Sequence, residues 1–330
     1  MKKSLTLIVT VILVVMLIIV LLQVLQVNKN TQPKHLDFVL GVCTHGNESS
    51  ELYALSNGVR YLRTDISLSK SQEELLSMEH NIYNASYLGI LDYETLPGGS
   101  SNRNWSLSEW NESVSNAVSS YPYISTWEIW NEPYVQNFET GYMNGSAYNY
   151  FMIIKSAANI IRARDPNATI VCFGGAPIAD PQLMMWYERV WSYGAYKYCN
   201  AISIHAYPYG PALLSSLQMQ AWRSSIYSYE NFTHVPIWIT EFGMPSSSAA
   251  AYGYTQQLQG MVMEQGFEIF NNISFVKRVY WYDLWGLSDG NLENNFGLLN
   301  LSNPLNGKPN LAWSIFKEAY NSSCSIAQCN

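Results

Sequence analysis

Eight short apolar runs, each followed by a stretch with helical spacing, predict a (β/α)8 barrel. The runs are Phe38–Cys43, Val59–Ile66, Ser86–Tyr93, Ser125–Asn131, Ala168–Phe173, Ala201–Ala206, Pro236–Glu241 and Lys277–Tyr282. Strands alternating with helices imply a parallel sheet. Eight such units in about 300 residues fit a closed barrel better than a doubly wound open sheet. No glycine-rich dinucleotide loop follows the first run, which weakens the open-sheet alternative further. The clearest helix is Tyr148–Arg164, where apolar residues recur at helical spacing until Asp165-Pro166 ends it. Tyr252–Asn271 is a second helix, and Leu311–Tyr320 closes the series after strand eight. Neither a linker nor an internal repeat divides residues 31–330, so they read as one domain.

Composition narrows the function. Hydrophobic residues make up 48% of the 330, enough for a large core, while charged residues make up only 13%. A net charge of −7 without Lys/Arg clusters excludes nucleic acid as an expected partner. A surface made polar by Ser, Asn and Tyr changes little with pH, which predicts tolerance of an acidic or harsh exterior.

Residues 1–30 read as a cytoplasmic stub and a membrane anchor. Lys2 and Lys3 precede Leu5–Leu22, an 18-residue run interrupted only by Thr6 and Thr10. That length can span a bilayer with little to spare. The run ends in Gln23-Val24-Leu25-Gln26 without a small-x-small cleavage site, which favours an uncleaved signal anchor over a removed signal peptide. The lysines then stay inside and the barrel lies outside the cell. Ten N-x-S/T sequons, at Asn47, Asn84, Asn104, Asn111, Asn144, Asn167, Asn231, Asn272, Asn300 and Asn321, agree with that orientation. Chance would give about four. Of the five cysteines, Cys324 and Cys329 sit close together in a polar tail and are candidates for a local disulfide. Cys43, Cys172 and Cys199 fall in or beside apolar runs and read as buried thiols. No Cys/His spacing suggests a metal site, and no cofactor is expected.

In a parallel barrel the active site is built at the C-terminal ends of the strands. Strand four ends Trp127-Glu128-Ile129-Trp130-Asn131-Glu132-Pro133, and strand seven ends Trp238-Ile239-Thr240-Glu241-Phe242-Gly243. Each delivers a glutamate to the barrel mouth. Two facing carboxylates are what glycosidic cleavage needs, one protonated to serve the leaving oxygen and one ionised to attack the anomeric carbon.

The Trp-Asn-Glu-Pro and Thr-Glu-Phe-Gly segments resemble the signatures of clan A retaining β-glycoside hydrolases, nearest to families 39 and 5, over about residues 36–320. The resemblance implies a carbohydrate substrate, with Glu132 as general acid/base, Glu241 as nucleophile and Asn131 on the sugar 2-hydroxyl. It further implies that Tyr207, in Ile202–Pro208, hydrogen-bonds Glu241 and that His205 shapes the surroundings of Glu132. Arg63 would contact the nucleophile, and Trp281 would form the aromatic platform under the sugar, with Trp285 as its alternative. Glu128 reads as a buried structural carboxylate and Trp130 as packing. His45 reads either as a distal contact or as loop structure. Family 5 usually carries a histidine near the end of strand three, whereas this chain has Gly89-Ile90-Leu91-Asp92-Tyr93, so the substrate cannot be transferred from that family. Two alternatives share these residues: a transglycosidase remodelling surface glycans, and a non-catalytic carbohydrate-binding barrel.

Overall fold

The computed structural model describes residues 35–135, 141–208, 213–246, 254–287, 292–300 and 308–325. The sequence-predicted anchor and Cys329 lie outside these residues. Among those described, no helix is long and apolar enough to cross a membrane.

Eight parallel strands close a barrel in sequence order: β1 Val39–Thr44, β2 Tyr61–Asp65, β3 Ser86–Leu91, β4 Thr126–Ile129, β5 Thr169–Pro177, β6 Ala201–Ala206, β7 Ile237–Phe242 and β8 Val276–Trp281, with β8 pairing back onto β1. A helix follows each strand: α1 Glu48–Ser56, α2 Lys70–Tyr83, α3 Leu107–Ser120, α4 Ala147–Arg164, α5 Pro181–Ser192, α6 Ser216–Thr233, α7 Gln256–Asn271 and α8 Leu311–Ser322. The (β/α)8 prediction therefore holds. Most predicted strand ends shift by a residue or two. The helix expected from Tyr252 begins at Gln256, because the Thr255 side chain accepts from the Leu258 N–H and caps it. A small sheet of β9 Trp285–Gly286, β10 Leu299–Asn300 and β11 Lys308–Pro309 follows β8.

Strand alternation splits the apolar residues into two cores. Cys43, Leu88, Val171, Ala201, Trp238 and Tyr280 fill the barrel interior. Their neighbours in sequence, such as Leu62, Trp127, Ile129, Ile202, Ile239 and Trp281, face the helices in the larger outer layer. Arg278 is buried inside the barrel with its guanidinium 3.9 Å from the Trp238 ring centroid, so a cation–π contact fills space that an aliphatic side chain would otherwise take.

The cysteine reading needs correction. Cys172 and Cys199 form a disulfide across 27 residues of sequence. Cys172 lies in β5 and Cys199 just before β6, two adjacent strands, and this pairing is not visible in the sequence. Cys43 is a free, buried thiol as expected, and Cys324 is disulfide-bonded.

Candidate active site

Glu132 does not sit on a regular strand. β4 stops at Ile129, and both Trp130 (φ 72°) and Glu132 (φ 45°) adopt left-handed backbone. Such residues cost of order 1–3 kcal/mol each and persist only where the surroundings over-determine them. Here the surroundings do so. Trp130 is fully buried against Trp105 and Trp110, with ring centroids 5.1 and 5.6 Å away. Its N–H donates to the Leu91 carbonyl at 2.8 Å, and the Glu132 N–H donates to the Gly174 carbonyl at 2.6 Å. The twist turns Trp130 into the outer core and the Glu132 carboxyl toward the barrel mouth.

The Gly174 carbonyl is available because β5 bulges there. Its pairing with β6 shifts register between Cys172 and Ala176, and Phe173, Gly174 and Gly175 all have positive φ. A Cβ at Gly174 would lie 2.6 Å from the Trp130 carbonyl oxygen, and a Cβ at Gly175 would lie 2.1 Å from His205 Nε2. These two glycines let the backbone of β5 pass beneath the site. The Phe173-Gly174-Gly175 segment was the sequence signal for them, because paired glycines inside an apolar strand mark a bulge or a close approach.

Glu241 reaches the mouth through another irregularity. Strict alternation from the inward-facing Trp238 would point Glu241 outward. The β7–β8 register shifts between Ile239 and Phe242, and the extra residue turns Glu241 inward while Phe242 packs outside against Trp281. Glu241 is 7% exposed.

Arg63 on β2 ties the two strand ends together. Its Nε donates to Glu128 Oε2 at 2.6 Å, one terminal nitrogen to Glu241 Oε1 at 2.7 Å and the other to Asn131 Oδ1 at 3.1 Å. Glu128, fully buried, anchors the guanidinium from below. A buried cation with two carboxylate partners is held firmly protonated, and its planar fork fixes where those carboxylates point. The Tyr207 hydroxyl donates a short hydrogen bond to Glu241 Oε2. Burial, with the Glu241 charge beside it, pushes the Tyr207 hydroxyl far above its ordinary range, so it remains a donor.

His205 Nδ1 lies 2.8 Å from Glu132 Oε1 and 3.4 Å from Glu241 Oε2. An ionised carboxylate only accepts, so Nδ1 carries the proton in this contact. The Tyr134 hydroxyl, absent from the sequence-predicted set, donates to the same Glu132 oxygen at 3.3 Å. Burial by itself raises the Glu132 carboxyl. The hydrogen bond and charge of His205, the Tyr134 hydroxyl and Arg63 together outweigh burial and hold Glu132 below the usual carboxylate range.

Arg63, Asn131, Glu132, Tyr207 and Glu241 line a cavity of about 780 Å³, within the range of small-molecule sites. Aromatic rings of Tyr93, Tyr254, Tyr282 and Phe296 face it, along with His45 and Asp65. His45 Nδ1 is 3.1 Å from Asp65 Oδ2, and its Nε2 is 3.6 Å from Asp283 Oδ2. Burial alone would lower His45, but the charges of Asp283 and Asp65 raise it to about 9, so it is cationic at neutral pH. Asp283 itself is pushed up to about 7 by burial, against the His45 charge.

Trp281 does not line this cavity. It is fully buried in the outer core and meets Phe242 edge-on with ring centroids 5.2 Å apart. The reason is the period of two along β8: Arg278, Tyr280 and Tyr282 share the inner face, while Val279 and Trp281 share the outer one. Tyr282 is the strand-eight aromatic that faces the cavity. Trp285 is not among the lining residues either.

Glu132, His205 and Glu241 each offer a ligand atom within 4.8 Å of the others, close enough for a metal ion. Their lone pairs are engaged in mutual hydrogen bonding, and the Arg63 cation already occupies Glu241, so the donor set suits a proton network better than a dication. What the arrangement offers chemically is one carboxylate held by cationic and hydroxyl donors, facing a second that accepts from an imidazole.

Known proteins share this closed parallel barrel. The glycosyl hydrolase catalytic core family matches residues 156–306, which supports the resemblance to clan A glycoside hydrolases. Among solved structures, the chain is similar to a family 39 glycoside hydrolase from Bacteroides cellulosilyticus WH2, at 16% identity and TM-score 0.64, covering 86% of this chain and 64% of that one. It is also similar to the β-D-glucuronidase of Dictyoglomus thermophilum, at 13% identity and TM-score 0.59, covering 88% and 51%. A third is a GH2 β-galacturonidase from Eisenbergiella tayi, at 14% identity and TM-score 0.58, covering 88% and 51%. The chain thus spans between half and two thirds of the length of these proteins, and the likeness is one of fold. No curated protein matches by sequence.

Proposed function

We propose that this chain is a retaining β-glycoside hydrolase. The observation that carries the reading is the proximity of the pair: one oxygen of Glu132 and one of Glu241 lie within 4.8 Å. Retaining enzymes hold their carboxyl groups about 5–5.5 Å apart, while inverting ones leave about 6.5–9.5 Å for a water.

Glu241 is the nucleophile. Arg63 and Tyr207 each donate to one of its two oxygens, and their grip fixes the direction of attack on the anomeric carbon. Glu132 is the acid/base. Its Oε1 accepts from His205 Nδ1 at 2.8 Å. A sugar that fills the cavity excludes water and disfavours the ionised form of Glu132, which then takes up a proton. Glu132 then protonates the leaving oxygen as Glu241 forms the glycosyl ester. Esterification removes the charge of Glu241, so Glu132 loses a repelling neighbour and can take a proton from the incoming water. The Asn131 side chain, held by Arg63, is placed to meet the sugar 2-hydroxyl.

We further propose display outside the cell, on the anchor at residues 1–30. The apolar run supports this, and so does the Cys172–Cys199 disulfide, a bond typical of oxidising compartments. None of the ten sequon asparagines is buried, and seven are exposed.

Turnover tests the catalytic roles. Glu241→Ala should abolish hydrolysis of aryl β-glycosides, and azide should rescue Glu132→Ala by forming a β-glycosyl azide. Undiminished turnover in Glu241→Ala would remove the assignment.

A further inference from the structure

Fold neighbours of this chain include enzymes named for uronic acids, yet the charges around this cavity are arranged against an anionic sugar. Four carboxylates line it, Asp65, Glu94, Glu132 and Glu241. Among the described residues only two cationic side chains do, Arg63 and His45. Both are committed. Arg63 spends its guanidinium on Glu128 and Glu241, at 2.6 and 2.7 Å. His45 lies between Asp65 and Asp283, at 3.1 and 3.6 Å. A uronate carboxylate entering here would have to compete with fixed carboxylates for a cation that is already neutralised.

Segments 136–140, 209–212, 247–253, 288–291, 301–307 and 326–330 contain no Lys, Arg or His. Glu94 sharpens the discrimination. It follows Tyr93 on the cavity wall, half-buried, and among the described residues its side chain forms no ion pair. Partial burial and the charge of Asp65 push its carboxyl up, which reports the negative field on that wall.

We infer that the site selects neutral β-glycosides and rejects β-uronides, with the Asp65–Glu94 wall as the discriminating element. This rests on the proposed glycosidase reading, and it names the substrate class of that same site. Recognition of a neutral sugar then falls to stacking on aromatic faces such as Tyr282 and to hydroxyl contacts with Asn131. Like charges brought together in a partly desolvated site are strongly unfavourable, so the expected penalty for a uronide is about 100-fold or more in kcat/KM.

The test uses the full chain with matched pairs of 4-nitrophenyl β-glycosides, gluco against glucuronide and galacto against galacturonide, together with the xyloside. Binding of isofagomine and of uronic isofagomine is measured in parallel by calorimetry. Cleavage of a neutral glycoside with its uronide about 100-fold slower is the expected result. Glu94→Gln should then narrow that ratio by about tenfold, as removal of one like charge requires. A uronide cleaved within tenfold of the best neutral substrate overturns the inference and leaves the glycosidase reading intact. With no turnover on any substrate the glycosidase reading fails, and binding decides the inference. Tighter binding of the neutral iminosugar upholds it, while preference for the uronic form, or binding of neither, overturns it.

Discussion

Gly175→Ala puts the geometry of the site to its hardest test, because a single methyl group reaches the catalytic network from the backbone of a neighbouring strand. The new Cβ would lie 2.1 Å from His205 Nε2, whereas ordinary contact begins near 3.4 Å. The ring must therefore retreat by about 1.3 Å, the difference of those two distances. His205 Nδ1 now stands 2.8 Å from Glu132, so a displacement of that size breaks the hydrogen bond between them. Misplacing a catalytic group by about 1 Å costs on the order of 100-fold in rate. Stability falls as well, by about 1–2 kcal/mol for a side chain at φ 78° and about 1–3 kcal/mol for overpacking. Chemical denaturation and kcat/KM across pH read the two effects separately. In Gly175→Ala/His205→Ala the ring is gone, so stability should recover to within the backbone cost while activity does not. Near-normal kcat/KM with an unchanged pH profile in Gly175→Ala would refute the claim that His205 must sit where it does.

Two further predictions follow from side-chain placement. Trp281→Phe should lower stability through loss of outer-core packing, by about 1–3 kcal/mol, and leave KM nearly unchanged, whereas Tyr282→Ala should raise KM about tenfold by removing a sugar-stacking face. Equal effects of the two on KM would show that the strand-eight platform has been misassigned. Glu79 on α2 and Glu51 on α1 are both fully buried, and the Tyr87 hydroxyl donates to Glu79 at 2.6 Å. Burial, followed by the Glu51 charge, raises Glu79 from 4.5 to about 8. A carboxyl that binds its proton more tightly when folded stabilises the protein fully below its unfolded pKa, and that contribution is lost as pH rises through the folded one. Stability should therefore decline between about pH 4.5 and 8 on account of this group. Glu79→Gln should flatten that decline and be the more stable by about 1–3 kcal/mol at pH 8, measured by urea denaturation. A steeper decline in Glu79→Gln would contradict the assignment. The direction agrees with the tolerance of acid expected from the sparsely charged surface.

The fold was legible in the sequence because it rests on repetition. Eight apolar runs at regular intervals, separated by helical patterns, leave few arrangements that bury both faces of a parallel sheet. The residues at the strand ends were legible for the same reason, since any side chain just past a barrel strand is delivered to the mouth. Glu132, Glu241, Asn131, Arg63, His205 and Tyr207 all meet there, across 178 residues between Arg63 and Glu241. What the sequence did not determine was every place where the backbone leaves its period. The left-handed turns at Trp130 and Glu132, the bulge at Gly174-Gly175 and the register shift before Phe242 each reverse which face a side chain occupies. Such departures are stabilised by contacts between strands distant in sequence, such as the Gly174 carbonyl on the Glu132 N–H, and of them only the bulge left a local sign, its paired glycines. The choice between Trp281 and Tyr282 had the same origin. Neighbouring residues on one strand differ only in the face they present, and the closed barrel alone decided which of them faces the cavity.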